Sequence, residues 1–333
     1  MNLITITNVS KQYHIKQRGN NFKEGISNFF LNRSKVINAV NDISFSINAG
    51  EMVGFIGPNG AGKSTTIKMM TGILYPTTGE VNILGYNPNK YRKIIASKIG
   101  VVFGQRSQLW WDLPLIDSFE LQKYMYKIPS ITFNKNLSFF CDLLDVNNFI
   151  NTPVRQLSLG QRMRGDLLAA LLHDPEVLFL DEPTIGLDFE SKEKMRSLLV
   201  EINKEKKVTL ILTTHDMLDI ERTCERMIII DKGKLVYDGN INEIKEMNGN
   251  IKKLKVDFKT NPILNAKAVN FLEEKNGLRF TFSFDANHIS TYTLMEMIAK
   301  ENEVNDFTVE EIEIEKIIKQ IYQKSSTTFS RVN

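Results

Sequence analysis

Gly57-Pro58-Asn59-Gly60-Ala61-Gly62-Lys63-Ser64-Thr65 fits G-x-x-x-x-G-K-S/T, the pattern of a phosphate-binding loop. The apolar run 52–56 before it reads as a buried strand. Residues 66–70 after it read as the first turns of a helix. Strand, loop and helix in that order are what the pattern requires. Gly57, Gly60 and Gly62 let the backbone turn tightly and point successive N–H groups, with those near Asn59 and Thr65, at one anion. The helix N-terminus adds partial positive charge. Lys63 can reach the β- and γ-phosphates, and the Ser64 hydroxyl can be offered to Mg²⁺. The expected ligand is therefore a nucleoside triphosphate.

The chain has 333 residues, room for one large and one smaller domain. Its formal net charge of +3 makes no electrostatic case for nucleic acid. Cys141 and Cys224 lie far apart without metal-type spacing, so both read as reduced core residues. The start alternates like a strand and does not read as a signal peptide. The apolar runs 177–180 and 227–230 are too short to span a bilayer, so the chain is expected to be soluble or peripheral.

Residues 3–8 read as a first strand. Tyr13 follows, either a core or surface aromatic or a stacking platform for a purine. Residues 14–37 read as an insertion. Phe22, Ile26, Phe29, Phe30 and Arg33 fall at helical spacing there, suggesting an amphipathic helix that packs on its own domain or meets a partner or membrane surface. Residues 41–47, 80–84 and 99–103 read as strands, the last ending at Gly104-Gln105. From about 106 to 170 the pattern is helical, with apolar spacing over 118–126, 133–144 and 161–172. Trp110-Trp111 is either core or the lining of a groove for a partner helix.

Residues 176–183, Glu-Val-Leu-Phe-Leu-Asp-Glu-Pro, run from a buried parallel strand into two carboxylates. Strand C-termini are where α/β sites form. Asp181 is placed to hold Mg²⁺ through water beside Ser64, and Glu182 to polarise a water on the γ-phosphate. A further buried strand, 208–214, ends at His215, which can contact the same phosphate. Residues 240–250 turn polar and read as a linker. Beyond it, 254–258 and 279–284 alternate as strands, while 291–300 and 309–322 have helical spacing. The expected division is 1–245 for the nucleotide domain and 250–333 for a small α+β domain without a catalytic constellation.

In their order these parts resemble the ATP-binding subunit of an ABC transporter over about residues 3–245. Tyr13 looks like the A-loop aromatic, 57–65 the Walker A and Gln105 the Q-loop glutamine. Leu157-Ser158-Leu159-Gly160-Gln161 looks like the signature motif. Residues 177–182 look like the Walker B with its catalytic glutamate, Gly186-Leu187-Asp188 the D-loop, and His215 the switch histidine. The fold implied is the P-loop ABC ATPase fold, α/β, with a mixed sheet and a helical subdomain at 106–170. Two departures stand out. Leu159 replaces the first glycine of the usual Leu-Ser-Gly-Gly-Gln, with Ser158 and Gly160 retained, and the 14–37 insertion separates Tyr13 from the phosphate loop. Residues 102–114 and the extra C-terminal domain are similar to bacterial ATPases paired with ABC-2-type export permeases.

The resemblance implies ATP and Mg²⁺ as cofactors, the metal held by Ser64, Gln105 and Asp181. It implies catalysis by Glu182, His215, Lys63 and Gln105. It also implies a head-to-tail dimer, of two copies or of two related chains, in which Ser158, Gly160, Gln161 and Asp188 of one subunit complete the site of the other. The partners implied are integral membrane permease subunits, with the ATPase peripheral on the cytoplasmic face. An importer subunit shares these motifs. A translation factor would carry two cassettes, and a chromosome or repair ATPase a long coiled coil. The resemblance implies that the substrate contacts the membrane subunit, a different chain.

Overall fold

The structure is a computed structural model that describes residues 2–16, 34–104, 106–247, 251–264, 266–311 and 314–329. The chain divides into two compact units, Met1–Asp238 and Gly239–Asn333.

The first unit opens with β1 (Asn2–Lys16) and β2 (Ser34–Asn48), then β3 (Met52–Ile56) and α1 (Lys63–Met70). β4 (Thr78–Ile83) and β5 (Ile99–Phe103) follow. Next come α2 (Leu115–Met125), α3 (Ser130–Leu143) and α4 (Leu159–Leu171). β6 (Val177–Asp181), α5 (Phe189–Lys206), β7 (Thr209–Thr213) and α6 (Met217–Thr223) lead to β8 (Arg226–Asp231) and β9 (Lys234–Asn240).

Two sheets form. One is antiparallel, in the order β2-β1-β4; the other has the order β5-β6-β7-β3-β8-β9. In the second, β5, β6, β7, β3 and β8 pair in parallel. Their sequences are continuous apolar runs because both faces are covered. Phe55, Val177, Leu178, Phe179 and Ile211 are wholly buried, each contributing roughly 1.5–3 kcal/mol. The β8–β9 hairpin turns through Lys232 and Gly233, both at positive φ, as a two-residue primed turn requires. The parallel order sends the C-terminal ends of β3, β5, β6 and β7 to one edge, with the phosphate loop.

Two differences from the sequence reading in this unit have physical causes. The first strand does not stop near residue 8. It runs to Lys16 and pairs Tyr13 with Ile37 and His14 with Val36, so residues 14–16 and 34–37 at the ends of the insertion are strand. Aromatic and β-branched residues on both sides favour that ladder. The helix expected around Phe22–Arg33 lies outside the described residues. The helices of the 106–170 region start two or three residues earlier than apolar spacing indicates. Pro114, Pro129 and Ser158 hold their N-cap positions, polar or ring signals that apolar spacing cannot report.

In the second unit, α7 (Ile241–Met247) occupies most of the expected linker. Ile241 and Ile244, three apart, are buried, and Asn240 Oδ1 accepts from the Asn242 N–H at 2.8 Å at its start. β10 (Ile251–Phe258), β11 (Leu272–Asn276) and β12 (Arg279–Asp285) precede α8 (Thr291–Ala299), β13 (Val304–Glu311) and α9 (Ile314–Phe329). The antiparallel sheet has the order β11-β12-β10-β13. The helix expected over 309–322 therefore begins only at Ile314. Val309 continues the alternation of Val304-Asn305-Asp306-Phe307-Thr308 and pairs with Leu254. Leu254, Val256, Phe280, Phe282 and Phe284 pack with Leu294 and Ile298 of α8.

Candidate functional site

At the loop between β3 and α1 the backbone is forced. Gly62 is the N-cap of α1 at φ 109°, and a Cβ there would lie 2.5 Å from the Ala39 carbonyl oxygen. Only glycine fits. That N-cap carries no side-chain acceptor, so the first N–H groups of the helix face outward without a capping partner. An uncapped helix start behind a glycine loop is an anion cradle. The loop borders a cleft of about 890 Å³ lined by Tyr13, Asn59, Gly60, Gly62, Lys63, Ser64, Thr65, Phe103, Arg106, Asp181 and Glu182, among others.

Lys63 is buried, and its Nζ donates to the carbonyls of Gly57 (2.5 Å) and Pro58 (3.3 Å). Burial lowers its ammonium below the usual lysine range, and the negative charges of Glu182 and Asp181 pull it back up. Asp181 Oδ1 accepts from the Thr213 hydroxyl at 2.5 Å, which fixes the carboxylate at the end of β6. Glu182 Oε1 meets His215 Nε2 at 2.5 Å. Glu182 itself sits at φ 56°, left-handed for a residue with a side chain. Gly104 makes room for it: a Cβ on Gly104 would lie 2.0 Å from the Glu182 carbonyl oxygen, and Gly104 N–H donates to the Asp181 carbonyl at 2.8 Å.

The structure thus gathers Tyr13, Asn59, Gly60, Gly62, Lys63, Ser64, Thr65, Asp181 and Glu182 around one cleft, with Gly57 joined through Lys63 and His215 through Glu182. Tyr13 is about one-third exposed and forms part of the lining. Gln105 lies outside the described residues. Ser158, Gly160, Gln161 and Asp188 do not line the cleft. Ser158 caps α4 in a capping box: its Oγ accepts from Gln161 N–H at 3.2 Å, and Gln161 Oε1 accepts from Ser158 N–H at 2.9 Å. Leu159, the residue that departs from the family signature, places Cδ2 3.1 Å from where a Gly186 Cβ would stand. Asp188 caps α5 through the Ser191 N–H at 2.9 Å.

Several residues at the site gave no signal in the sequence. Phe103 and Arg106 line the cleft because β5 ends there. Ile37, Asn38 and Ala39 line it because β2 extends further than its alternation indicated. Asp166 of α4, almost wholly buried, accepts from the Ser107 hydroxyl (3.0 Å) and the Gln108 N–H (2.9 Å), tying the segment after Gln105 to α4. Burial pushes its carboxyl up to about 6, against the pull of those two donors. Trp110 and Trp111 are both about half exposed, so the core reading of the pair is corrected; Arg162 lies over the Trp111 ring at 5.5 Å. Cys141 and Cys224 are buried and unbridged, and burial raises their thiols to about 11 and about 12. Among the described residues no helix is long and apolar enough to cross a membrane.

A phosphate cradle, a carboxylate pair and a strand-end histidine at the edge of a parallel sheet define a nucleoside-triphosphate hydrolase of the P-loop class. The ABC transporter family matches residues 40–185. A putative ABC transporter ATP-binding protein of Clostridium acetobutylicum, CA_C1368, is 35% identical over 213 residues, covering 62% of this chain and 75% of that one. The Nod factor export ATP-binding protein I of Rhizobium leguminosarum is 33% identical over 211 residues (62% and 66%). The methionine import ATP-binding protein MetN 2 of Enterococcus faecalis is 31% identical over 219 residues (65% and 63%). Among solved structures, the dimeric post-hydrolysis state of the cassette MJ0796 bound to ADP and Pi aligns with a TM-score of 0.59 at 28% identity, covering 72% of this chain and 98% of that chain. Clostridium perfringens cbiO1, part of the ABC transporter complex cbiONQ, aligns at 0.61 and 25% identity, covering 74% and 92%. The chain belongs to the ATP-binding proteins of ABC transporters, and it is an ATPase.

Proposed function

We propose that this chain powers export through an ABC-2-type permease, as one of two ATPase subunits that close over ATP on the cytoplasmic face of the membrane. One observation carries the dimeric part: the exposed Ser158 start of α4 stands apart from the cleft that holds Lys63 and Glu182. The cleft holds half of the expected phosphate contacts, and a second copy or a related chain would bring the other half. The dimeric cassette with ADP and Pi supports that arrangement.

Lys63 and the uncapped N–H groups of α1 bind and orient the phosphates. Tyr13 stacks on the base. Ser64 and Asp181 share the cleft wall, a hard-oxygen pair suited to Mg²⁺, with Gln105 as the third expected ligand. When bound, Mg²⁺ neutralises charge on the phosphate oxygens. Glu182 takes a proton from the attacking water and His215, in contact with its carboxylate, contacts the γ-phosphate. Ser158, Gly160, Gln161 and Asp188 of the second subunit then close the site.

The half-exposed Trp110 and Trp111 beside Leu113 give the permease a surface on the segment that follows Gln105. Export draws support from residues 102–114 and from the Nod factor relative. The methionine-import relative favours a second reading, an importer subunit. Detergent pull-down of tagged Glu182→Gln protein with ATP tests both. An ABC-2-type polytopic partner is the expected result; an importer-type permease supports the second reading, and ribosomal proteins or DNA without a membrane protein would overturn the transport assignment.

A further inference from the structure

Behind the strand ends that carry Glu182 and His215 lies a carboxylate to which the mechanism above gives no role. Asp219 of α6 is wholly buried. Its Oδ2 accepts from the hydroxyl of Thr184 and from that of Thr214 (2.8 Å), and its Oδ1 lies 2.7 Å from Arg196 Nε. Arg196 is 3% exposed and also contacts Glu193 and Asp216. Thr184 and Thr214 are buried as well.

The placement of the two hydroxyls matters. Thr184 stands two residues past Glu182, and Thr214 immediately precedes His215. Glu182 holds a left-handed backbone, a conformation that persists only where its surroundings over-determine it. On one side it is held by its N–H to the Thr213 carbonyl (2.9 Å) and its own carbonyl to the Ile185 N–H (3.2 Å). Pro183 is restricted in φ, so an anchor on Thr184 is transmitted back to Glu182 with little slack. Thr214 Oγ1 also accepts from Asp216 N–H at 3.0 Å, turning the chain just after His215. Asp216 is in turn paired with Lys192 at 2.8 Å. A buried ion pair is a poor way to gain stability, since apolar residues of the same volume usually serve as well. It is a good way to fix two loops in one frame, because every lone pair must find its donor.

We propose that Asp219 is a positioning residue for ATP hydrolysis, clamping Thr184 and Thr214 so that Glu182 and His215 stay in contact and aimed at one point. The clamp rests on the reading of Glu182 and His215 given above. Arg196 neutralises the carboxylate and fixes it to α5. The clamp touches no nucleotide, so it acts on turnover and not on binding.

The test uses the full chain at a concentration where dimers form, with kcat from phosphate release and ATP affinity from nucleotide titration. Thr184→Val and Thr214→Val each remove one hydroxyl and keep the volume, and so disturb folding less than Asp219→Asn. Each is expected to lower kcat about tenfold or more, the loss of roughly one charge-assisted hydrogen bond. ATP affinity is expected to stay within about twofold, and Thr184→Ser and Thr214→Ser to restore kcat. In a His215→Ala background Thr214→Val should add little, because the side chain it positions is already gone. Wild-type kcat in both Val variants, equal loss in the Ser variants, or a full further loss on His215→Ala would overturn the clamp. Glu182→Gln, run alongside, separates the two claims. Normal turnover there refutes the site reading, whereas an inactive Glu182→Gln with normal Val variants refutes the clamp alone.

Discussion

Two helix starts in this chain are both expected to meet phosphate, and they are built differently. α1 begins at Gly62 with no side-chain cap, its first N–H groups turned outward. α4 begins at Ser158 with a complete capping box, so two of its orphan donors are satisfied within the chain. The first is a site open to an anion in a single chain. The second is a rigid, self-sufficient end whose remaining N–H groups and Ser158 hydroxyl are available to an anion brought from elsewhere. The contrast matches the division of labour proposed above, in which Lys63 binds and Ser158 completes.

The largest expected effect tests the open site's chemistry. Glu182→Gln should slow ATP turnover by about 10²–10⁴-fold, the usual worth of a positioned acid–base group, with ATP binding retained. Phosphate release with the purified protein measures it, and normal turnover would remove Glu182 from its role. Lys63→Ala should weaken ATP affinity by about 10–100-fold, the loss of charge-assisted bonds to phosphate. Equilibrium nucleotide binding measures that, and unchanged affinity would argue that α1 does not cradle the phosphates. Ser158→Ala should leave ATP affinity of the single chain unaltered while hydrolysis falls, and should cost about 1 kcal/mol of stability from the lost cap. Loss of single-chain affinity would erase the contrast between the two helix starts.

A pH-dependent effect concerns Asp166, whose carboxyl at about 6 stands above its ordinary value of 3.8. A buried acid with a raised value favours the folded state when protonated. Its contribution is full below its unfolded value and is lost as pH rises through about 6. The stability of Asp166→Asn relative to the parent should therefore rise between about pH 4.5 and pH 7, by on the order of 2 kcal/mol. Urea titrations at both pH values check the sign, and a flat difference would contradict it.

The cleft was legible where chemistry and hydrophobicity coincide. β3, β6 and β7 are apolar runs that end at Lys63's loop, at Asp181-Glu182 and at His215, so strand and site announced each other. The clamp behind them was not legible, because Arg196 and Asp219 are charges in helical segments, a pattern ordinarily solvated, and their burial comes from packing between distant elements. β9 and β11 are only partly buried, and their mixed composition carries no clear strand period. The extent of β1 and β2 was missed because their outer ends are stabilised mainly by each other, which a single segment cannot report.

The most direct test of a site shared between subunits is to mix two inactive variants. Lys63→Ala protein lacks the cradle but keeps its Ser158, and Ser158→Arg protein lacks the completing serine but keeps its Lys63. If the halves come from different subunits, the mixture regains activity, about a quarter of the parent's for random pairing of a symmetric dimer. If the mixture stays as inactive as either variant alone, each chain supplies its own whole site and the account fails.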